Sequence, residues 1–179
     1  RRVDAQSRTL DIDFVVHGTE GLAATWAAVA EPGATLSLLG PGGGYLPNPD
    51  ADWYLFAGDL SAVPAIAASL EALPEDAVGV ALIEAEAEAA ILDLAAPPGL
   101  EVRWIVDPTH PTALLADAVR AIGSRDGHVD VFAHGERESM KALRQVLFNE
   151  WGLERSQVSL SGYWARGRTE DRFQTLIQA

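Results

Sequence analysis

The sequence predicts an α/β protein whose parallel sheet carries helices on both faces. Short apolar runs recur along residues 51–179, and such runs are typical of strands that are buried on both sides. Between them lie segments of about ten residues that have the apolar spacing of helices. A strand, a helix and a further strand connected in this way form a right-handed crossover, so the strands lie parallel.

Composition narrows the classes of function. Hydrophobic residues make up 48% of the 179 residues, which is enough for a folded core. Acidic residues outnumber basic ones by 26 to 13, so we expect no binding to nucleic acid or to anionic membranes. The chain has no cysteine, which excludes disulfides and iron–sulfur clusters and agrees with a cytoplasmic location. No apolar run reaches about 18 residues, which predicts no membrane insertion.

A loop divides the chain into two zones. Residues 40–50 are rich in glycine and proline, which neither a helix nor a central strand tolerates. Before this loop, apolar and polar residues alternate over Thr9–Val16, which predicts a half-buried strand. A helix is predicted from Leu22 to Glu31, and a further strand over Thr35–Leu39.

Beyond the loop, strand and helix patterns alternate. Strands are predicted at Trp53–Ala57, Val78–Ile83, Glu101–Val106, His128–Ala133 and Val158–Tyr163. Helices are predicted at Ser61–Leu73, Ala85–Leu92, Thr112–Ile122, Glu136–Trp151 and Glu170–Ile177. Ser61 is expected to cap the first of these helices, and the apolar positions of each helix are expected to face the sheet.

Ligands of such sheets bind beyond the carboxyl ends of the strands. The predicted ends are Gly58-Asp59, Glu84, Asp107-Pro108, His134 to Glu136 and Tyr163-Trp164. At the first end, Gly58 permits a tight turn, and free N–H groups of the following helix could receive a pyrophosphate. The motif is not Gly-x-Gly-x-x-Gly, and a plain strand–helix turn explains it equally well.

Three other clusters are candidates for ligand binding. Gly135 permits close approach of a ligand and Glu136 suits the positive start of a helix, although a glutamate is favourable there without any ligand. Over Gly162–Arg168, aromatic planes could stack on a flavin or nicotinamide ring and arginines could bind an anion, unless the aromatics only cover the core. His17 and Gly18 precede a helix and form either a group of N–H donors or a capping turn.

Other chemistry is predicted to be absent. The four histidines lack the spacing of metal ligands, so we expect no metal site. Ser61 lies in no Gly-x-Ser-x-Gly elbow, which argues against an esterase. We interpret the alternating carboxylates of Glu84, Glu86 and Glu88 as a solvated face. No catalytic side chain is assigned.

Several of these motifs, taken in order, resemble a known family. They are Val16-His17-Gly18, Gly21 to Ala27, Pro32-Gly33, Gly40 to Gly43, Gly58 to Ile66, Val131 to Glu136, Leu143-Arg144 and Gly162 to Gly167. Together they resemble the siderophore-interacting proteins, a bacterial branch of the ferredoxin-NADP reductase-like flavoenzymes. The resemblance covers nearly the whole chain. It implies that residues 1–45 are the last part of a FAD-binding β-barrel and that residues 51–179 form the NAD(P)H-binding domain.

The resemblance also implies cofactor contacts. Arg1 matches the last arginine of the strand that grips flavin in the family, whose tyrosine and threonine have no match here. The residues implied to line FAD are His17, Gly18, Ala23, Thr25, Trp26, Tyr163 and Trp164. Those implied to bind NADH or NADPH are Gly58, Asp59, Ser61, Pro64, Gly135 and Glu136. The family more often has threonine at or beside Ser61, alanine at His134 and arginine at Ala165.

The function implied is the NAD(P)H- and FAD-dependent reduction of a ferric siderophore, which releases Fe(II) for iron acquisition. The cofactors carry the redox chemistry. Arg166 and Arg168, with Arg172, are candidates to bind the anionic siderophore, with surface solubility as their alternative role. The chain begins with Arg1 rather than methionine, and we interpret it as a fragment that alone holds little FAD and is inactive. We expect a monomer.

Two questions stay open at the level of sequence. An arginine near the adenosine ribose would favour NADPH over NADH, and Arg103, Arg137 and Arg144 are all possible. A general flavin or electron-transfer reductase on the same scaffold is an alternative function, as is a non-catalytic module that binds a siderophore or a protein partner. Assays with ferric chelates and with nicotinamide nucleotides separate these functions.

Overall fold

The structure is a computed structural model that describes residues 2–14, 22–38 and 44–167. In chain order the strands are β1 Arg2–Asp4, β2 Thr9–Asp11, β3 Trp53–Asp59, β4 Val78–Ala85, β5 Gly99–Val106, β6 Val129–Glu136 and β7 Val158–Trp164. The helices are α1 Leu22–Val29, α2 Val63–Ala72, α3 Leu114–Ile122 and α4 Arg137–Arg144. A wider π-helical turn continues α4 over Gln145–Glu150.

Strands β3 to β7 form one parallel sheet in the order β5-β4-β3-β6-β7. The chain starts in the middle of this sheet, adds two strands towards one edge, and then crosses over to add two towards the other. Helix α2 packs on one face, and α3 and α4 pack on the other, which confirms the predicted fold class. The winding reverses between β3 and β6, and ligands of such sheets bind beyond the carboxyl ends at that point.

The central strands are apolar because both of their faces are covered. Every residue of β3 is buried, which explains its continuous apolar run. Leu55 and Leu143 pack in the core on the α3 and α4 face, while Phe56 and Ile66 pack in the core on the α2 face. The predicted inward positions of α2, from Val63 to Leu73, are all buried.

The N-terminal zone differs from the prediction. β1 and β2 pair as a short antiparallel hairpin, and the strand predicted over Thr9–Val16 ends at Asp11. Leu10 and Ile12 are 49% and 40% exposed rather than half-buried, whereas Phe14 is partly buried and Val16 lies outside the described residues. The strand predicted over Thr35–Leu39 is also wrong, since residues 34–38 are irregular. Among the described residues, the first segment pairs with β1 over Thr9–Asp11, and residues 34–38 belong to no sheet.

In two segments of the second zone, the structure also differs from the predicted helices. The segment Ala85–Leu92 is rich in helix-favouring residues, but Ala85 still pairs with Val106 in the sheet, and only a single 3-10 turn forms at Glu88–Ala90. Ile91 and Leu92 are exposed, so a helix here would have no apolar face to bury, and tertiary packing supplies most helical stability. The helix predicted at Glu136–Trp151 is regular only to Arg144.

The helix predicted at Glu170–Ile177 and the central glycines of the predicted loop lie outside the described residues. Within the described ranges, no helix is long and apolar enough to cross a membrane.

Candidate functional site

The turns at the ends of β3 and β6 approach each other closely where the winding reverses. Gly58 pairs with His134 across these strands, and a Cβ atom on Gly58 would lie 2.6 Å from the His134 carbonyl oxygen. A Cβ atom on Gly135, whose φ is +156°, would lie 2.7 Å from Oδ2 of Asp59. Both positions therefore require glycine, because protein atoms already lie where a Cβ atom would be and both residues are buried.

The carboxylate of Asp59 connects the ends of three strands. It is buried, and its Oδ1 accepts hydrogen bonds from the backbone N–H (2.9 Å) and hydroxyl (2.5 Å) of Ser61. Its Oδ2 accepts from the Glu136 N–H at 2.7 Å and from Nε1 of Trp164 at 2.8 Å. These four donors hold the ends of β3, β6 and β7 in one arrangement.

The start of α2 corrects two predictions. Ser61 does not cap this helix, because its hydroxyl donates to Asp59 and the residue at the cap position is Ala62. The N–H groups of Ser61, Ala62 and Val63 all donate to acceptors inside the turn, so they are not the free donors that the sequence predicted. Pro64 lies in the first helical turn, where the missing N–H of proline costs nothing.

Glu136 caps α4 with its side chain. Its Oε2 accepts hydrogen bonds from the N–H groups of Glu138 and Ser139, and its Oε1 accepts from the N–H of Arg166 at 3.1 Å. The carboxylate is buried, and each of its oxygens accepts from at least one backbone N–H group of the protein. Of the two roles left open for Glu136, the geometry favours that of a helix cap.

The end of β7 presents aromatic and cationic groups. Tyr163 and Trp164 are exposed, and the Trp164 ring is held by its hydrogen bond to Asp59. Partial desolvation of the Tyr163 side chain raises the pKa of its hydroxyl above the usual value. The guanidinium of Arg166 donates from Nη2 to the carbonyl oxygen of His110 at 2.8 Å. This edge therefore has flat rings and a positive group that a ligand can reach.

His134 lies beneath these rings as a neutral imidazole. It stacks on Phe132 with 4.0 Å between ring centroids and meets the edge of Tyr163 at 4.8 Å. Its Nε2 is 2.9 Å from the Ser159 hydroxyl oxygen, and its Nδ1 has no hydrogen-bond partner in the described part of the chain. Burial lowers the pKa of His134 to about 4, so the ring is uncharged at neutral pH.

A cluster at the ends of β4 and β5 was not assigned from the sequence. Glu84 is buried, not solvated, and Nδ1 of His110 lies 2.5 Å from its Oε1. Nε2 of His110 lies 3.3 Å from Oε1 of the exposed Glu86. Burial raises the pKa of Glu84, while the pKa of Asp107 is lowered by hydrogen bonds from Thr109. The signal was present in the sequence, because Glu84 directly follows an apolar run and ends a predicted strand.

A cleft of about 760 Å³ runs along β6 and β7 on the α2 side of the sheet. Phe132, Ser159 and Tyr163 line it, as does Tyr45, whose hydroxyl donates to Asp130 at 2.6 Å. Burial and the neighbouring carboxylate raise the pKa of Tyr45. Among the described residues of the carboxyl edge, Tyr163 also lines this cleft.

The structure brings together most of the candidate residues of the second zone. Those that meet at the carboxyl edge are Gly58, Asp59, Ser61, Gly135, Glu136, Tyr163, Trp164 and Arg166. Ala23, Thr25 and Trp26 lie apart on α1, where Trp26 packs against Phe14 at 6.0 Å. Arg1, His17, Gly18 and Arg168 lie outside the described residues. Within the described ranges, no group of three or more side chains is arranged to hold a metal ion.

Comparison with known proteins identifies related sequences over nearly the whole chain. The sequence model of the "Siderophore-interacting protein" family matches residues 51–167, and that of the "Siderophore-interacting FAD-binding domain" matches residues 1–45. The ferric vibriobactin reductase ViuB of Vibrio cholerae is 40% identical, and an uncharacterized protein of Mycobacterium tuberculosis is 45% identical. Each alignment covers 97% of this chain, which spans 65% of the length of these relatives.

Solved structures agree with this comparison. A siderophore utilization protein from T. fusca is 40% identical with a TM-score of 0.83, over 93% of this chain and 64% of that one. The siderophore-interacting protein SipS of Aeromonas hydrophila is 28% identical with a TM-score of 0.87, over 99% of this chain and 72% of that one.

Proposed function

Because this chain belongs to the siderophore-interacting protein family, we propose that it binds NAD(P)H as part of a flavoenzyme that reduces ferric siderophores. In this proposal, residues 51–179 form the NAD(P)H-binding domain and residues 1–45 contribute to the FAD-binding domain. The observation that carries the proposal is the group of exposed side chains, Tyr163, Trp164 and Arg166, at the carboxyl edge where the winding of the sheet reverses. Dinucleotides bind at this point in open α/β sheets.

The shape and chemistry of the carboxyl edge support nucleotide binding. Gly58 and Gly135 allow the ends of β3 and β6 to approach each other closely at this edge. Asp59 holds the Trp164 ring beside them through Nε1, and the exposed Tyr163 offers a second flat surface. Aromatic planes of this kind stack on flavin or nicotinamide rings.

The residues of α1 fit a role in binding FAD. Ala23 and Thr25 are exposed on α1, and a small side chain next to a side chain with a hydroxyl group suits the phosphate or ribityl part of FAD. When bound, FAD supplies the chemistry that accepts a hydride from NAD(P)H and passes single electrons to Fe(III). In this proposal Ala23, Thr25 and Trp26, with His17 and Gly18, hold the phosphate and ribityl part of FAD.

In this proposal, the side chains of the protein bind and orient the cofactors and the siderophore. His134 stays neutral because burial keeps its pKa at about 4, so it places no charge beside the rings. Arg166 provides a positive group at the edge, and with Arg168 it attracts an anionic ferric siderophore. Iron is released after reduction because Fe(II) binds hard oxygen donors less tightly than Fe(III). We further propose that the protein is a cytoplasmic monomer.

Two measurements test the proposal. In the first, the 179-residue chain is titrated with NADH and NADPH by calorimetry; we expect saturable binding of at least one of them, and binding of neither would refute the proposal. In the second, the purified chain is compared with a longer chain that includes a complete FAD-binding domain. We expect flavin absorbance and ferric-siderophore reduction only in the longer chain. Reduction of free flavin without reduction of any ferric siderophore would indicate a general flavin reductase instead.

A further inference from the structure

We propose that His134 is a positioning residue that holds the ring of Tyr163 as a fixed flat surface for the flavin. The inference rests on the proposed function, since it assumes that flavin meets the carboxyl edge of the sheet. It goes further by naming the residue that determines where this aromatic surface lies. His134 is buried beneath Tyr163, so it acts through that ring and not by touching the flavin.

The backbone of β7 leaves Tyr163 without a partner residue on β6. Gly135 pairs with Gly162, and the next residue of β6, Glu136, pairs with Trp164. Tyr163 is therefore the extra residue of a β-bulge. Because β7 is an edge strand of the described sheet, no strand of that sheet pairs with Tyr163 from the other side either. Bulges redirect a side chain and are frequent beside functional sites.

The side chain of Tyr163 has few contacts that fix its orientation. Tyr163 is 42% exposed and lines the cleft along β6 and β7, so open space adjoins its ring. Within the described part of the chain, its hydroxyl has no hydrogen-bond partner, and the ring of His134 is its one aromatic contact. The neighbouring Trp164 differs, because its Nε1 donates to Asp59. The orientation of Tyr163 therefore depends on His134.

The ring of His134 is itself held in place. It lies parallel to Phe132, with 4.0 Å between the ring centroids and 4° between the ring planes. Its Nε2 lies 2.9 Å from the hydroxyl oxygen of Ser159, which restricts rotation of the imidazole. The ring of Tyr163 stands at 79° to it, with 4.8 Å between the centroids. Aromatic pairs prefer this edge-to-face arrangement, so the buried ring determines the orientation of the exposed one.

The ring of His134, rather than its nitrogen atoms, makes the contact with Tyr163. Phenylalanine has a flat ring of similar size and no nitrogen, so His134→Phe keeps both the stacking on Phe132 and the contact with Tyr163. Alanine has no ring, so His134→Ala leaves space between Phe132 and Tyr163. Together the two substitutions separate the ring contact from the other effects of the histidine.

The first test follows the motion of the Tyr163 ring by NMR in the 179-residue chain with 13C-labelled tyrosine. The signal can be assigned because the chain has three tyrosines and the hydroxyls of the other two are hydrogen-bonded. In His134→Ala we expect the order parameter of the ring to fall from about 0.85, typical of a rigid group, to below about 0.6, typical of a flexible one. His134→Phe should keep the native value.

The matched control is His128→Ala, because His128 is exposed just before β6 at the opposite edge of the sheet. If His134→Ala does not fold, Ser159→Ala is measured in its place, since it frees Nε2 of His134 without emptying the core. A rigid Tyr163 ring in the variant that is measured, or equal loosening in the control, would overturn the inference.

The second test connects the ring to the flavin in the longer chain that includes a complete FAD-binding domain. A surface that is already ordered binds its ligand more tightly, because less freedom is lost on binding. We therefore expect His134→Ala, but not His134→Phe, to raise the Kd of FAD several-fold in an absorbance titration. In a Tyr163→Ala background, His134→Ala should have no further effect, as a double-mutant cycle shows.

The outcomes separate the inference from the proposed function. An unchanged Kd in His134→Ala, or the same increase with and without the Tyr163 ring, would overturn the inference and leave the proposed function intact. A native longer chain that binds no FAD would refute the proposed function and the inference with it.

Discussion

Replacement of Asp59 by asparagine should destabilise the protein strongly. The native carboxylate accepts four hydrogen bonds, two on each oxygen. An asparagine side chain has one acceptor oxygen, so its amide group must face two of these donors without accepting from them. A buried donor that loses its acceptor costs about 1–3 kcal/mol, so we expect a loss of about 2–6 kcal/mol in the free energy of unfolding. A domain of ordinary stability, about 5–15 kcal/mol, can remain folded after this loss.

Urea denaturation followed by circular dichroism measures this effect. The matched control is Asp76→Asn in an exposed loop, which should change the free energy of unfolding by no more than about 0.5 kcal/mol. Trp164→Phe removes one of the four donors, so the cost of Asp59→Asn should be smaller in that background, as a double-mutant cycle would reveal. A loss below about 1 kcal/mol in Asp59→Asn, or full additivity with Trp164→Phe, would refute the view that Asp59 connects the strand ends.

Three further predictions follow from the same geometry. Gly135→Ala should lower the free energy of unfolding by about 1–3 kcal/mol, because its Cβ would collide with the Asp59 carboxylate. Urea denaturation measures this effect, with Gly44→Ala as the control because a Cβ at Gly44 meets nothing within 4 Å. Equal effects of the two substitutions would contradict the prediction. Glu136→Ala should cost about 0.5–2 kcal/mol by removing the cap of α4, and α4 amides that exchange hydrogen no faster than in the native chain would argue against it. The pKa of His134 is lowered from 6.5 to about 4, so the neutral ring stabilises the folded state fully above pH 6.5. This contribution, about 3 kcal/mol, is lost as the pH falls towards 4. His134→Phe should remove this part of the pH dependence of unfolding, and an unchanged profile would contradict the assignment.

The sheet could be predicted from the sequence because strands that are buried on both faces appear in it as short apolar runs. β3 and β6 are buried throughout and consist mainly of apolar residues, with their polar residues Asp59, His134 and Glu136 near the carboxyl ends and Asp130 near the start of β6. The helices that pack on them were predicted where a strong apolar face exists, as in α2. The segment Ala85–Leu92 was predicted wrongly because alanine and glutamate favour a helix locally, whereas helix formation also requires a face to bury.

The site could be predicted only in part. Gly58 and Gly135 were found because a glycine at a strand end indicates a tight turn or a close approach to the backbone. The role of Asp59 was missed, because its partners Glu136 and Trp164 are distant in sequence and meet it only in the folded sheet. Glu84 was assigned to a solvated face from its alternation with Glu86 and Glu88, but the crossover through β5 brings His110 against it. Contacts of this kind depend on tertiary structure and leave no local pattern.

In the proposed function, a protein that contains this chain and a complete FAD-binding domain transfers electrons from a nicotinamide nucleotide to siderophore-bound iron. The most direct measurement is anaerobic oxidation of NADH by the longer chain with its complete FAD-binding domain, with a ferric siderophore as acceptor and a chromogenic chelator that traps Fe(II). A hydride carries two electrons and each Fe(III) accepts one, so we predict two Fe(II) trapped for each NADH oxidised, and none when FAD is removed. A flavin-loaded protein that oxidises NADH without forming Fe(II), for both catecholate and hydroxamate siderophores, would contradict the account.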